Sequence, residues 1–152
     1  NQFEAARPWL PKALQAEDGG FWDLLGGYTT DYAGASVTVF PASKRLRYWM
    51  PFQPADRTIE FLRGLRPDEP LDSSVEPEPA AITFADDGEK FGLWPKTHHW
   101  VYEEGWLDQL FTAIERERSW LATARFSDYL QEVGSSGRVW LPWSGLRRCR
   151  NR

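Results

Sequence analysis

Three acidic side chains follow directly on a short apolar run in the middle of the sequence. The run is AAITFA at residues 80–85, and the acids are Asp86, Asp87 and Glu89, with Lys90 next in the chain. An apolar run of this length predicts a buried β-strand. In parallel α/β folds the loops at the carboxyl ends of the strands form the active site. We therefore expect the three acids to lie where a fold of this class performs its chemistry.

Four interpretations of the acidic cluster differ in the chemistry they allow. The acids would end a turn and pair with Lys90, as acidic residues in turns commonly do. A twelve-residue calcium loop with Gly88 at its sixth position would start at Thr83 and end at Trp94, and neither is the carboxylate that the pattern requires. A two-metal phosphoryl-transfer site would need basic clamps and distant acids, which no motif indicates. A glycosidase would use one acid to protonate a glycosidic oxygen beside aromatic rings that hold the sugar. The pattern alone leaves the first and last interpretations open.

The composition predicts one folded domain, or part of one. The 152 residues are 41% hydrophobic and 15% aromatic, with nine tryptophans, which is enough apolar material for a packed core. Tryptophan side chains also provide flat faces on which sugars or bases stack. The formal net charge of -4 provides no basic face for nucleic acid, so we expect no nucleic-acid partner.

The two ends of the chain and its cysteine content bear on its location. Cys149 is the single cysteine, which rules out an intrachain disulfide and favours the cytoplasm. The sequence contains neither a signal segment nor a run of about 18 apolar residues, so we expect no membrane contact. It starts at Asn1 without a methionine, which indicates processing or a cut from a longer chain. Residues 143–152 contain four arginines and are predicted to be an unstructured basic tail.

Strands and helices alternate in the predicted order of elements, which is the rhythm of an α/β fold. Before the acids, local patterns predict a short helix over 11–16, a loop over 26–34 and a strand over 36–40. They then predict an irregular segment or short strand over 46–52, a helix over 58–65 and an exposed loop over 67–80. Asp56 or Thr58 would cap the helix over 58–65. After the acids, they predict a helix over 100–118 with Leu107, Leu110, Phe111 and Ile114 facing inward, a short strand over 120–124, a helix capped by Ser127, and a strand over 138–141.

The run DDGEKFGLWP at residues 86–95, continued by WVYEEGWL at 100–107, resembles the segment around the acid/base residue in glycoside hydrolase family 57. This family contains α-amylases and 4-α-glucanotransferases. The likeness extends to TVFP at 38–41, KRLRY at 44–48, SDYL at 127–130 and GRVWLP at 137–142. It covers residues 28–142, and the run from 86 to 107 is its most specific part.

The resemblance implies a fold and an activity. The fold would be α/β, part of an incomplete (β/α) barrel of the glycoside hydrolase/deacetylase-like type, with residues 1–142 as a partial catalytic domain. The activity would be retaining hydrolysis or transfer on α-1,4-glucans or maltooligosaccharides, with a 4-α-glucanotransferase favoured over an α-amylase. Neither a cofactor nor a metal is implied, and the oligomeric state is not indicated.

The resemblance also implies roles for the acidic residues. The D-x-E motif of the family falls on Asp87, Gly88 and Glu89, which makes Asp87 the acid/base residue. Trp94 would be a sugar platform or, alternatively, a tryptophan of the core. Asp86 and Glu89, on either side of Asp87, would be further substrate-binding residues.

A retaining enzyme needs a second carboxylate about 5–5.5 Å from the first. The family supplies it as a glutamate in a Glu-Arg-aromatic motif on an earlier strand. The comparable region here reads FEAARPWLPKAL, and its acid is Glu4, which is therefore the candidate nucleophile. Two other interpretations remain open: a non-catalytic glucan-binding or inactive remnant protein, and a module that binds a protein partner through its tryptophan-rich surface and acidic loop.

Overall fold

A three-stranded sheet contains all the strands in the part of the chain that the structure describes. The computed structural model describes residues 25–66 and 79–141. The strands are β1 (Tyr28–Tyr32), β2 (Ala35–Val39) and β3 (Gly137–Arg138), in the order β2-β1-β3. β1 and β2 pair antiparallel, with Tyr28 opposite Val39, and β3 pairs parallel to β1. The strand predicted over 36–40 is confirmed, one residue earlier in the chain.

The loop predicted over 26–34 is wrong, because most of it forms strand β1. Its tyrosine and threonine residues favour extended backbone, and each residue of β1 is paired with one of β2. Only Ala33 and Gly34 turn the chain, with φ of 51° and 82°. Positive φ at both central residues is the geometry of the two-residue hairpin loops that match the twist of the strands. The glycines around β1 concealed this strand in the sequence.

Four α-helices provide most of the regular structure outside the sheet in the described residues. They are α1 (Lys44–Trp49), α2 (Ala55–Arg63), α3 (Trp106–Arg116) and α4 (Phe126–Glu132), together with a 3₁₀ turn at Gly88–Phe91 and a π-helical turn at His99–Glu103. The sheet and the helices agree with the predicted α/β class, while the incomplete barrel stays a prediction. The helix predicted over 11–16, most of the loop over 67–80 and the tail over 143–152 lie outside the described residues.

Helix α1 corrects the irregular segment or short strand predicted over 46–52. The hydroxyl oxygen of Ser43 accepts a hydrogen bond from the backbone N–H of Leu46 (3.3 Å), which caps the first turn. The side chain of Leu46 is buried, so packing also favours the helix. Pro51 follows two residues after the end of the helix. A proline there ends the helix because it has no backbone N–H to donate.

Helix α2 confirms the helix predicted over 58–65, although it starts earlier. It begins at Ala55 after Pro54, and none of the described side chains forms a capping hydrogen bond. The caps predicted at Asp56 and Thr58 are therefore wrong, because both residues lie inside the helix. Thr58 is 1% exposed, which is a position in the core rather than at a helix end.

Helix α3 lies within the span predicted over 100–118 but is shorter. A π-helical turn precedes it, and Gly105, with φ of 72°, separates the two. Leu110 is buried as predicted, whereas Phe111 is 54% exposed. Phe111 was placed on the wrong face, because Ala113 is the residue that continues the buried stripe. The other two predicted positions are partly buried against the same core.

The elements predicted after α3 differ from those observed. Residues 120–124 form no strand. The indole N–H of Trp120 donates to the carboxylate of Glu117 (2.6 Å), and its backbone N–H donates to the carbonyl of Glu117. These two hydrogen bonds hold Trp120 in a turn. Ser127 lies inside α4, whose cap position is Arg125, so the cap predicted at Ser127 is wrong. The strand predicted over 138–141 is reduced to β3.

Within the described residues, the apolar run at 80–85 forms a single β-bridge, between Thr83 and Ala42. The backbone N–H of Ser43 donates to the carbonyl of Thr83 (2.7 Å). The strand predicted for the whole run is therefore wrong, because the neighbouring backbone contacts it at single points rather than along a ladder. These contacts hold the run against the start of α1, directly before the acids.

The main core joins α1, α2 and α3 and holds the acidic segment at both ends. Its buried members are Leu46, Met50, Ala55, Trp106 and Leu110. Phe84 and Phe91 bracket the acids in the sequence and pack against this core. Their ring centroids lie 6.1 Å apart, edge to face, a favourable arrangement for aromatic rings. The segment between them is thus fixed by packing on either side.

A side chain at Gly26, next to the start of β1, is expected to destabilise the protein. The φ of Gly26 is 82°, its N–H donates to the carbonyl of Ala81 (2.6 Å), and an added Cβ would lie 2.0 Å from Oγ of Ser136. Gly26→Ala should lower the free energy of unfolding by about 2–5 kcal/mol, of which ~1–2 comes from left-handed backbone and ~1–3 from overpacking.

Gly34→Ala is the matched control for this prediction, measured by urea unfolding. Gly34 has the same φ of 82°, but no atom of residues 25–66 or 79–141 lies within 4 Å of its added Cβ. It should therefore lose only the backbone contribution. Equal losses in the two variants would show that crowding against Ser136 plays no part.

Candidate active site

Asp86 and Asp87 occupy different environments although they are neighbours in the chain. Successive side chains on extended backbone point to opposite faces, and Asp87 is extended, with φ of -74° and ψ of 131°. The side chain of Asp86 is 1% exposed, whereas that of Asp87 is 58% exposed. One carboxylate is therefore part of the interior and the other is open to solvent.

Among the described residues, three groups bind the buried carboxylate of Asp86. The ammonium of Lys90 donates to Oδ2, and the backbone N–H of Asp87 donates to Oδ1 (2.9 Å). Nε of Arg47 lies 3.3 Å from Oδ1. The side chain of Lys90 is only 3% exposed and also donates to the backbone carbonyl of Arg47. A buried ion pair persists when hydrogen bonds satisfy both partners, and both charges have more than one partner here.

Burial alone would raise the pKa of Asp86, but the groups around it outweigh burial. The hydrogen bonds from Lys90 and from the backbone of Asp87, with the positive charges of Lys90 and Arg47, hold the pKa of this carboxyl below its ordinary value. The folded protein therefore favours the charged form of Asp86.

Acid is expected to weaken the folded state through Asp86. Its pKa is lower in the folded chain than in the unfolded chain, so it contributes stability above the unfolded value of about 3.9, and this contribution is lost as the pH falls through the folded value. Urea unfolding below about pH 5 should show a steeper loss of free energy in the wild type than in the double variant Asp86→Asn/Lys90→Met, which lacks both charges. The same slope in the two proteins would contradict this prediction.

Asp87 contacts the same guanidinium from the solvent side. Nη2 of Arg47 lies 3.4 Å from Oδ2 of Asp87, so Arg47 spans both acids. Glu89 is exposed in the 3₁₀ turn that follows. The interpretation in which the acids end a turn and pair with a lysine thus describes Asp86. It does not account for the exposure of Asp87, whose carboxylate contacts Arg47 at the surface.

An exposed aromatic surface lies next to the acids. Trp94 is 43% exposed and Phe52 is 39% exposed, and their rings stack with centroids 6.3 Å apart and planes 22° apart. Lys90 joins this surface to the acids, since its Nζ lies 5.2 Å from the centroid of Phe52. Trp94 is not a tryptophan of the core, so that alternative is wrong. Its role as a sugar platform stays a prediction.

The two histidines pair with glutamates. Nδ1 of His99 lies 2.7 Å from Glu103 and its Nε2 lies 3.0 Å from Glu104, while Nδ1 of His98 lies 3.3 Å from Glu103. The hydrogen bond with Glu103 raises the pKa of His99.

Within the described residues, no group of three or more His, Cys, Asp or Glu side chains is placed to hold a metal ion. The same residues include no helix of the length and apolar character that a membrane crossing requires.

The structure places most of the predicted site residues in one region. Asp87 follows Asp86, whose partner Lys90 lies over the ring of Phe52, and Phe52 stacks with Trp94. Glu4 lies outside the described residues. Substrate binding by the acids on either side of Asp87 stays a prediction, and the burial of the preceding one favours a supporting role. Arg47 was not predicted from the sequence, where its only signal is its place in the KRLRY segment.

Comparison with known proteins gives consistent matches. The sequence model of glycosyl hydrolase family 57 matches residues 10–142. A 4-alpha-glucanotransferase of Thermococcus litoralis is 44% identical over 121 residues, which is 79% of this chain and 17% of that protein. An alpha-amylase of Pyrococcus abyssi is 39% identical over 127 residues, or 84% of this chain and 17% of that protein. The chain thus spans about a sixth of the length of these curated relatives.

A solved structure resembles this fold as well. The crystal structure of the 4-alpha-glucanotransferase from Thermococcus litoralis superposes with a TM-score of 0.72 at 38% sequence identity. The superposition covers 93% of this chain and 19% of that one. At this identity the likeness extends beyond fold to related sequence.

Proposed function

This chain belongs to glycosyl hydrolase family 57, and we propose that it carries the acid/base residue of a retaining enzyme that acts on α-1,4-glucans. Asp87 is that residue. The observation that supports the assignment is the contrast between the acids, since the side chain of Asp86 is 1% exposed and paired with Lys90 while that of Asp87 is 58% exposed. Of the two, only Asp87 is open to a sugar.

The proposed reaction uses Asp87 twice. In the first step Asp87 gives its proton to the glycosidic oxygen as the bond to the anomeric carbon breaks, and a second carboxylate forms a covalent bond to that carbon. In the second step Asp87 takes a proton from the incoming sugar hydroxyl or water, which attacks the anomeric carbon and releases the second carboxylate. Glu4 is our proposed nucleophile.

The surface formed by Phe52 and Trp94 would hold the glucan. Flat aromatic rings stack on the apolar faces of sugars, and both side chains are more than a third exposed. Glu89, exposed in the turn after Asp87, would accept hydrogen bonds from sugar hydroxyls. Asp86 would not contact the sugar but would fix the position of the segment that carries Asp87.

We place a 4-α-glucanotransferase ahead of an α-amylase. The named glucanotransferases reach 44% and 41% identity to this chain, compared with 38–39% for the named amylases. The family and the TM-score of 0.72 support the finer fold proposal, in which the chain forms part of an incomplete (β/α) barrel.

Products of a defined glucan test this proposal. The purified protein, incubated with maltopentaose, should give both longer and shorter oligosaccharides, separated by chain length. Mainly shorter products would identify an amylase. A folded protein that binds maltopentaose but releases no product would overturn the enzyme proposal in favour of a glucan-binding protein, for which the exposed aromatic pair provides a surface.

A further inference from the structure

We propose that Arg47 is a positioning residue that aims the carboxyl group of Asp87 at the glycosidic oxygen. This inference rests on the proposed function of Asp87. Arg47 lies forty residues before Asp87 in the sequence and belongs to helix α1. It acts on the reaction through Asp87 alone.

The first support is that one guanidinium reaches both neighbouring acids. Nε of Arg47 lies 3.3 Å from Oδ1 of Asp86, and Nη2 lies 3.4 Å from Oδ2 of Asp87. Asp86 is buried and therefore a fixed partner, whereas Asp87 is exposed. A planar guanidinium has its donors in a fixed fork. The fork thus fixes the exposed carboxylate of Asp87 relative to the buried carboxylate of Asp86.

The second support is that the backbone of Arg47 is tied to the same loop. The buried ammonium of Lys90 donates both to the carbonyl of Arg47 and to the carboxylate of Asp86. Arg47, Asp86 and Lys90 therefore form a closed ring of contacts that joins α1 to the acidic segment. Movement of either side of this ring would break a buried charged contact, which is costly.

The third support is the chemistry of the contact. A guanidinium has donor groups but no acceptor atom, so Arg47 can hold Oδ2 of Asp87 without accepting a proton from it. The contact engages Oδ2 of Asp87 and leaves Oδ1 to face a substrate oxygen. In the first step the proton passes from Asp87 to the leaving oxygen, and in the second it returns from the acceptor hydroxyl, while Arg47 holds the same place.

Helix α1 supplies a matched control. Arg45 lies two residues before Arg47 and is also exposed, but its guanidinium packs 4.7 Å from the ring centroid of Phe61 and 5.7 Å from that of Trp49. Arg45→Gln therefore removes the same charge from the same helix without touching the acids. Arg47→Lys keeps the charge but loses the fork.

The test compares two donors whose leaving groups differ in their need for a proton. Cleavage of a maltooligosaccharide releases a sugar alkoxide that must be protonated. Cleavage of α-maltosyl fluoride releases fluoride, which leaves without help from an acid. We expect Arg47→Gln to lower kcat/KM for maltopentaose about tenfold, as misplacement of a general acid would. For α-maltosyl fluoride the change should stay within about twofold because the acid step is not needed. Arg47→Lys should fall between wild type and Arg47→Gln for maltopentaose.

The outcomes separate this inference from the function it rests on. Equal losses on both donors would show a general structural effect and overturn the positioning role. The same result for Arg47→Gln and Arg45→Gln on maltopentaose would also overturn it, while Asp87 would remain the acid/base residue. A wild-type protein that turns over neither donor overturns the proposed function, and this inference with it.

Discussion

Asp87→Asn should lower kcat/KM for maltopentaose by about 10²–10⁴ while the affinity for the glucan stays within a few fold. The reason is that a positioned general acid contributes about this factor, and an amide cannot donate the proton. Binding should persist because the aromatic surface of Phe52 and Trp94 is unchanged. The measurement pairs initial rates with titration calorimetry on the same preparation.

Asp108→Asn is the control for this substitution, because Asp108 is an exposed acid in the first turn of α3. It removes one carboxylate from the surface and should leave kcat/KM unchanged. A loss of glucan binding in Asp87→Asn, or a similar loss of rate in Asp108→Asn, would show that Asp87 is not acting as a proton donor.

Lys90→Met should lower the free energy of unfolding by about 3 kcal/mol. Removal of one partner of a buried ion pair costs about 3–5 kcal/mol, because the other charge is left in the interior. The lower end applies here, since Arg47 still lies 3.3 Å from Asp86. Loss of the hydrogen bond to the carbonyl of Arg47 would also free α1 from the acidic segment. Urea unfolding at neutral pH measures the change.

Two variants identify the origin of this loss. Lys96→Met removes an exposed lysine and should change stability by less than about 0.5 kcal/mol. The double variant Asp86→Asn/Lys90→Met removes both charges and should recover part of the loss, because no unpaired ion remains. A double variant that is less stable than Lys90→Met would contradict the account of a stranded charge.

Local patterns predicted the elements whose formation depends on their own residues. The β-branched run SVTVF predicted β2, and the helical period predicted α2 and most of α3. Helix α1 was missed because it depends on the cap at Ser43 and on the burial of Leu46 against Trp106, which is sixty residues later in the chain. Phe111 was placed on the wrong face because the packing of α1 and α2 decides which stripe of α3 is buried.

The candidate site was predictable in its residues but not in its geometry. The run DDGEKFGLWP drew attention to Asp87 and indicated its family. Nothing in that run states which of two adjacent aspartates faces the interior, because this depends on how the extended segment meets α1. The contact between Arg47 and both acids forms only when segments forty residues apart meet. For that reason the tertiary structure was needed to find it.

Rescue by azide distinguishes an acid/base role of Asp87 in a retaining enzyme from any other role of this residue. In an Asp87→Gly variant supplied with α-maltosyl fluoride, the first step needs no acid, but the second lacks a base. Azide attacks the anomeric carbon without giving up a proton, so it should restore turnover in proportion to its concentration. The predicted product is maltosyl azide with the α configuration, since two displacements retain it. If the wild type turns over the fluoride and the variant forms no azide adduct, or forms the β anomer, Asp87 does not have this role.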